Sequence, residues 1–424
     1  MFKKILFFVV IGIVLGITYC AFAQEEATGF YAPFYFPYTA ESDQWFQSFY
    51  HPFTAEKKML VPFFAVRQEF DDNIYLTRHD ATNDWITNLQ AGLVFQPNLG
   101  KNKFVLDYLG DFNLFSDHTS QNNDNHTITT GLQLNFNKSH LDIVNVFRDF
   151  SDRSGSEDVS RIDRTSESVW PSFTFNFAKM DLLIGYNYRL EKYNSNDAIG
   201  TFEGRNLTYK NLDREEQVYT VEAALKLWPK TALLVSVDSG TIDHRVENGK
   251  PDSNYYDVLT GLRGSPTGKS TVEAKIGFRG QDYDNYGEDY KNLIFSGSWL
   301  EKFSERDSLR LDFSRTTNDS TFTDNGYYVN TFIGGNFKHD FSEKLSGKVG
   351  CSLEFNNYPT EVSLDNMTEE NREDVFWSPA IGLEYKISKY FVADLKFNYI
   401  KRDSNFSRYD YQDNRISAGL KGSF

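Results

Sequence analysis

The chain has 424 residues, 16% of them aromatic and 24% charged, with a formal net charge of −15. An acidic balance with no compact basic stretch argues against a nucleic-acid partner, and 38 Phe with 25 Tyr argue against a disordered chain. After the N-terminal leader, no apolar run approaches the ~18 residues that a membrane helix requires.

The leader sets the address. Lys3 and Lys4 precede the apolar run "ILFFVVIGIVLGITYC", and "AFAQ" follows with small residues at Ala21 and Ala23. A charged start, a short apolar segment and an A-x-A site predict a secretory signal peptide over residues 1–23, cut between Ala23 and Gln24. A lipid anchor on Cys20 would require small residues before it, and Tyr19 is bulky. Loss of Lys3 and Lys4 leaves 42 basic against 59 acidic residues, a formal −17, and loss of Cys20 leaves Cys351 as the one thiol. The exported fold therefore has no internal disulfide to hold it. Residues 24–57, rich in aromatics ("FYAPFYFPYTAESDQWFQSFYHPF"), read as a short periplasmic or plug segment ahead of a single domain over 58–424.

From Leu60 onward one grammar repeats. "MDLLIGYNYRLE" alternates Met180, Leu182, Ile184, Tyr186, Tyr188 and Leu190 with Asp181, Leu183, Gly185, Asn187, Arg189 and Glu191. "TVEAKIGFRG" sets Val272, Ala274, Ile276 and Phe278 against Glu273, Lys275, Gly277 and Arg279, and "KLSGKVGCSLEF" and "YFVADLKFNYIKRD" do the same. A period of two is a strand with different surroundings on its two faces. Roughly 18 such segments of about 9 to 13 residues occur, the length of a tilted membrane-spanning strand. Short polar connections follow an aromatic or apolar residue at Phe136, Phe177, Trp228, Phe303, Phe341 and Ile387, and they alternate with longer polar stretches such as "SDHTSQNNDNH" and "NNYPTEVSLDNMTEENRED". Short turn, long loop, short turn is the asymmetry of an outer-membrane barrel. A soluble sandwich would have to bury the charged face, at several kcal/mol per unpaired charge. A propeller would repeat a blade of ~40 to 50 residues, and only the hairpin period is present. The predicted fold is all-β: a transmembrane antiparallel up-and-down barrel of about 18 strands.

The polar faces carry the candidate pore-lining residues: Arg189, Glu191, Glu222, Lys226, Glu273, Lys275, Arg279, Arg310, Asp312, Lys348, Glu354, Asp394, Lys396, Arg402, Arg415 and Lys421. Rings of such groups set solute selectivity in a water-filled pore; the bland alternative is a salt-bridged interior that braces the wall. Mixed signs fit a neutral or zwitterionic solute, or a sugar chain. "QDYDNYGEDY" places Asp282, Tyr283, Asp284, Tyr286, Glu288, Asp289 and Tyr290 in a loop where sugar stacking or Ca²⁺ could be imagined, but with no EF-hand spacing a solvated loop is the better reading. Asp71, Asp72 and Asn73 read as a strand end. The seven histidines are scattered, and H-E-x-x-H, G-x-S-x-G and P-loop motifs are all missing, so no enzyme, cofactor or metal is expected. The closing stretch alternates up to Phe424, whose ring is expected in the periplasmic-side aromatic girdle, with the last strand paired to the first.

Two stretches resemble a known group. "VPFFAVRQEFDDNIYLT" with "DWITNLQAGLVF" is similar to the opening of the putative β-barrel porin type 2 family. "FNYIKRDSNFSRYDYQDNRISAGLKGSF" is similar to its closing hairpin, including Arg402, Asp403, Ser404, Asn405, Tyr411, Asn414 and Arg415. The resemblance implies an outer-membrane channel of a Gram-negative-type bacterium, often linked to exopolysaccharide export, and it carries no catalytic residues. The terminal aromatic also resembles the sorting signal read by the barrel-assembly machinery. Expected partners are outer-membrane lipids, that machinery and a polysaccharide, with both termini periplasmic. The alternative function is a filled-lumen structural or surface-binding barrel that presents adhesive loops.

Overall fold

The computed structural model describes residues 59–153, 161–202, 204–246, 250–284, 286, 289–322, 324–362 and 369–424. The expected signal peptide, its Ala23–Gln24 cleavage site and the segment up to residue 57 lie outside these residues.

Eighteen strands form one antiparallel sheet, and two short ones form a separate hairpin. The first wall strands are β1 (Leu60–Asp71), β2 (Asp84–Phe95), β3 (Lys103–Phe115), β4 (Asn123–Asn135), β5 (Ser139–Arg153), β6 (Arg161–Asn176) and β7 (Met180–Tyr193). The small hairpin β8 (Ala198–Phe202) and β9 (Arg205–Thr208) follows. The wall resumes with β10 (Arg214–Trp228), β11 (Thr231–His244), β12 (Ser253–Gly264), β13 (Ser270–Tyr283), β14 (Tyr290–Lys302) and β15 (Asp307–Asp319). It ends with β16 (Tyr327–Asp340), β17 (Leu345–Val362), β18 (Glu370–Lys386), β19 (Phe391–Ser404) and β20 (Tyr411–Ser423). Each wall strand pairs with its neighbours in sequence, β7 pairs with β10, and β20 pairs with β1 from Phe63–Ser423 to Asp71–Arg415. The sheet is closed, so it has no lateral start or finish to pair with another chain.

The alternation seen in the sequence decides which face looks out. Val66, Leu89, Ile128, Ile184, Val221, Val258, Ile276, Val349, Leu383, Leu395 and Leu420 are all exposed, as expected for a belt whose solvent is lipid. An aromatic girdle bounds the belt at the short-turn end, where Phe136, Phe177, Trp228, Phe303 and Phe341 are exposed just before their turns. Phe424 belongs to this girdle: its ring lies 6.2 Å from Phe64, 5.8 Å from Tyr390 and 5.8 Å from Phe391. Trp85, Tyr219 and Tyr256 are exposed on the outer face toward the other end.

The connections alternate as the sequence predicts. Turns at 136–138, 177–179, 229–230, 265–269, 303–306, 341–344 and 387–390 and the seven-residue connection 96–102 close one end, and the longest connections, 72–83 and 194–213, lie at the other. Serines hold two of the tight turns: Ser304 Oγ accepts from the Arg306 and Asp307 amides, and Ser342 Oγ from those of Lys344 and Leu345. Asp71 ends β1 as expected. Its carboxylate accepts the Asn73 amide at 2.8 Å, while Asp72 is bonded by Asn414 across the closing seam.

Candidate functional site: the barrel interior

All sixteen residues predicted for the polar face lie on the inner side of the wall. They are joined by charged partners that the sequence reading did not single out. On one arc, Arg189 bonds Glu216 at 3.0 Å and Glu191 bonds Arg214 at 2.9 Å. Glu222 receives both Arg263 (2.7 Å) and Lys275, and Arg263 also holds Glu273 at 2.9 Å. Arg279 makes a two-pronged bond to Asp257 at 2.8 and 2.7 Å, with its guanidinium 4.2 Å from the Tyr255 ring centre. Tyr255 can lie flat there because Gly240 is beneath it: a Cβ at that position would sit 2.3 Å from the ring.

On the opposite arc, Asp394 sits among Arg67 (3.3 Å), Lys396 (3.7 Å) and Lys421 (3.8 Å), and Glu384 lies 3.9 Å from both Lys348 and Lys421. Glu354 accepts amide donors from Asn330 (2.7 Å) and Asn356 (3.1 Å). Arg402 shares Asp374 with Arg372, each at 2.8 Å, and both guanidinium groups are 0% exposed. Arg415 bonds Asp413 at 2.7 Å.

The predicted residues divide by depth. Arg279, Glu222, Glu354, Asp394, Lys396 and Arg402 are buried in ion pairs or hydrogen bonds. Lys226, which holds Asp181 at 2.7 Å, and Arg310, which holds Asp312 at 2.8 Å, are open to solvent, with the Arg310 side chain 57% exposed. These open groups sit close to the short turns. The missed partners Arg67, Arg214, Asp257, Arg263, Arg372 and Asp374 carried a legible signal, since each has the inward parity of its own strand.

The long-loop end is packed instead. Leu259, Tyr283, Tyr290, Ile294, Tyr327 and Val329 form one apolar cluster, and Phe322, Tyr328, Tyr358 and Val362 another. The cause is a bend in the hairpin β15–β16. The β14–β15 ladder runs from Lys302–Ser308 to Phe295–Arg315 and stops, while β15 and β16 stay paired up to Asp319–Tyr327. Above Arg315 β15 parts from β14, and beyond Val329 the hairpin also parts from β17 and crosses the interior. Its Asp319 meets Arg214 of β10 and lies 3.5 Å from His244 of β11. Thr317 receives Arg279 at 3.0 Å and donates to Gln281 at 2.8 Å. The Asn325 carbonyl accepts from Lys250 at 2.6 Å, and the Phe322 ring lies under Arg372 at 4.6 Å.

In the "QDYDNYGEDY" stretch Asp282 and Asp289 face solvent, while Tyr283 and Tyr290 are buried and Tyr286 packs against them. Lys291 holds Asp282 at 3.0 Å and Asp289 at 3.3 Å, while Tyr283 stacks on Tyr327 at 5.0 Å. The Tyr283 backbone N–H keeps the Asp289 carboxyl below its ordinary range, and Lys291 adds to this. Glu288 lies outside the described residues.

A closed 18-stranded barrel with an apolar, aromatic-bounded exterior and a charged interior defines an outer-membrane protein of the porin class. The sequence profile of the family described as "Putative beta-barrel porin 2" matches residues 58–424, and the chain belongs to that family. No curated protein matches the sequence. Among solved structures it is similar to OccK2 (OpdF) of Pseudomonas aeruginosa in complex with glucuronate, at 13% identity over 86% of this chain and 98% of that one, TM-score 0.46. It is also similar to a BenF-like porin of Pseudomonas fluorescens Pf-5 and to OccAB3 of Acinetobacter baumannii. Each of these is 12% identical over 86% of this chain and 99% of the other, with TM-score 0.45.

Proposed function

We propose that this porin-family barrel is an aqueous channel that passes hydrophilic saccharide, as oligosaccharide or polysaccharide, with its short turns and both termini in the periplasm. The observation that carries this reading is the set of solvent-open charges on the inner face toward the short turns, Lys226, Glu273 and Arg310 among them. Groups of both signs there are held by neighbours of opposite sign, so the surface is wet and hydrogen-bonding without one dominant charge. Such a surface suits uncharged, hydroxyl-rich solutes better than a single ion type. Lys226, Glu273, Arg310, Asp312 and Lys348 would meet the solute, while Arg279, Glu354, Asp394, Lys396 and Arg402 would brace the wall. The family points to a channel rather than an enzyme.

One observation favours a second reading. The packed aromatic clusters at the loop end fit a structural barrel with a filled interior. Planar-bilayer recording of the purified protein, paired with liposome swelling in neutral oligosaccharides, separates the two. Stable conductance steps and sugar-dependent swelling are expected for the channel; silence in both assays would favour the filled barrel.

A further inference from the structure

We propose that the upper part of hairpin β15–β16 is a two-position gate, resting inside the barrel as observed and able to return to the wall by extending the β14–β15 ladder in its existing register. This builds on the channel reading, because a gate presupposes a path. In an antiparallel ladder each step up one strand is a step down the other. Continuing past Phe295–Arg315 would set Ile294 opposite Thr316, Leu293 opposite Thr317 and Lys291 opposite Asp319. The last pair joins opposite charges, the favourable cross-strand arrangement.

The β16 side of the hairpin suits the wall as well, while the outward positions of β15 are the polar Arg315, Thr317 and Asp319 at the loop end. Tyr327 and Val329 share the parity of Ile333 and Phe337, which lie on the outer side of β16. Apolar residues at those positions are what a lipid-facing wall strand takes. At present these outward-parity residues lie against the inner side chains of β12, β13 and β14, so the hairpin overlaps the wall it has left. The edge of β14 that it vacated is served locally. The Leu293 amide donates to Asn292 Oδ1 at 2.7 Å, and the Tyr290 hydroxyl donates to the Leu293 carbonyl at 2.9 Å.

The inner position is held by the aromatic clusters around Tyr327 and Phe322 and by polar contacts that can be exchanged for others. Asp319 would trade Arg214 and His244 for Lys291, and Thr317 would give up the side-chain bonds to Arg279 and Gln281 while its backbone gains ladder partners on β14. The other side provides a hinge, because β16 remains laddered to β17 up to Val329–Asn357. Two packings of one segment that each satisfy its polar groups are the requirement for a bistable element.

The test uses paired cysteines in the full-length protein with Cys351→Ala. Tyr283→Cys with Tyr327→Cys reports the inner position, and Leu293→Cys with Thr317→Cys reports the wall position. Both pairs should crosslink on oxidation in outer membranes, read by mass spectrometry. In planar bilayers the wall-locked form should conduct severalfold more than the inner-locked form, and reductant should abolish the difference. Arg214→Gln, which removes the Asp319 contact of the inner position together with the Arg214–Glu191 pair and touches no residue of the β14–β15 wall pairing, guards against misfolding of the double variants. It should raise conductance and, combined with the second pair, increase the Leu293–Thr317 crosslink. Full crosslinking of the inner pair with none of the wall pair, in either background, would overturn the gate. Crosslinks at both positions with no conductance in any variant would overturn the channel reading instead and leave the two hairpin positions standing.

Discussion

The two ends of this barrel are built by the same strands yet are held by different physics. Toward the short turns, inner-face charges such as Lys226 and Arg310 stand in pairs open to solvent, and the outer face carries a girdle of single aromatics. Toward the long loops, Arg372 and Arg402 are fully buried around Asp374, and aromatic clusters fill the space between the walls. At the loop end the inner charges are solvated by protein; at the short-turn end some, such as Lys226 and Arg310, face water, while Asp394 and Lys421 are buried. Equivalent-looking residues should therefore differ sharply in what their loss does.

The largest expected effect lies at the packed end. Asp374→Asn keeps the shape but removes the buried carboxylate that Arg372 and Arg402 share. Breaking a buried pair of this kind costs about 3–5 kcal/mol. Urea unfolding in detergent or lipid should show it, and a loss below about 1 kcal/mol would mean water reaches that cluster. Next is the belt between the two ends. Leu395→Arg, on the exposed outer face, should cost about 2–4 kcal/mol near the bilayer midplane and less near an interface. Equal stability of Leu395→Arg and wild type in lipid vesicles would break the inside–outside assignment.

Phe424→Asp sharpens the open end. It places a carboxylate among Phe64, Tyr390 and Phe391 and removes the ring expected to be read during assembly. Heat-modifiable migration of outer-membrane fractions should show little folded protein, with recovery by Phe424→Trp, which keeps an aromatic at the interface. Normal yields of Phe424→Asp would remove this residue's role. Arg310→Ala should leave unfolding unchanged, because an open pair contributes little, and alter conductance alone.

The smallest effect concerns pH at the loops. The Tyr283 amide and Lys291 favour the charged form of Asp289, so its folded pKa lies below the unfolded one. Its contribution is complete above the ordinary aspartate value and is lost only as pH falls through the depressed one. Hydrogen exchange at the Tyr283 amide should accelerate in that acidic window and not above it.

The sequence made the wall legible because a membrane barrel enforces parity on every strand. A single slip would carry Leu395 inward and Lys396 into lipid, so the alternation is hard to miss. Depth was not legible. Lys226 and Lys396 look alike in sequence, yet one is open to solvent beside Asp181 and the other is buried beside Asp394 under Arg67. The bend of β15–β16 was hidden for a related reason. Tyr327 and Val329 obey outward parity, and only the break in the β14–β15 ladder shows that they now pack inward.

The difference between the two ends is tested most directly by thiol labelling of inner positions with a charged, water-soluble reagent, in Cys351→Ala protein folded in vesicles. Arg310→Cys, near the short turns, should react quickly. Ser253→Cys, inward at the loop end and 2% exposed beside Gln281, should react far more slowly. Comparable rates at both positions would contradict a barrel that is wet at one end and packed at the other.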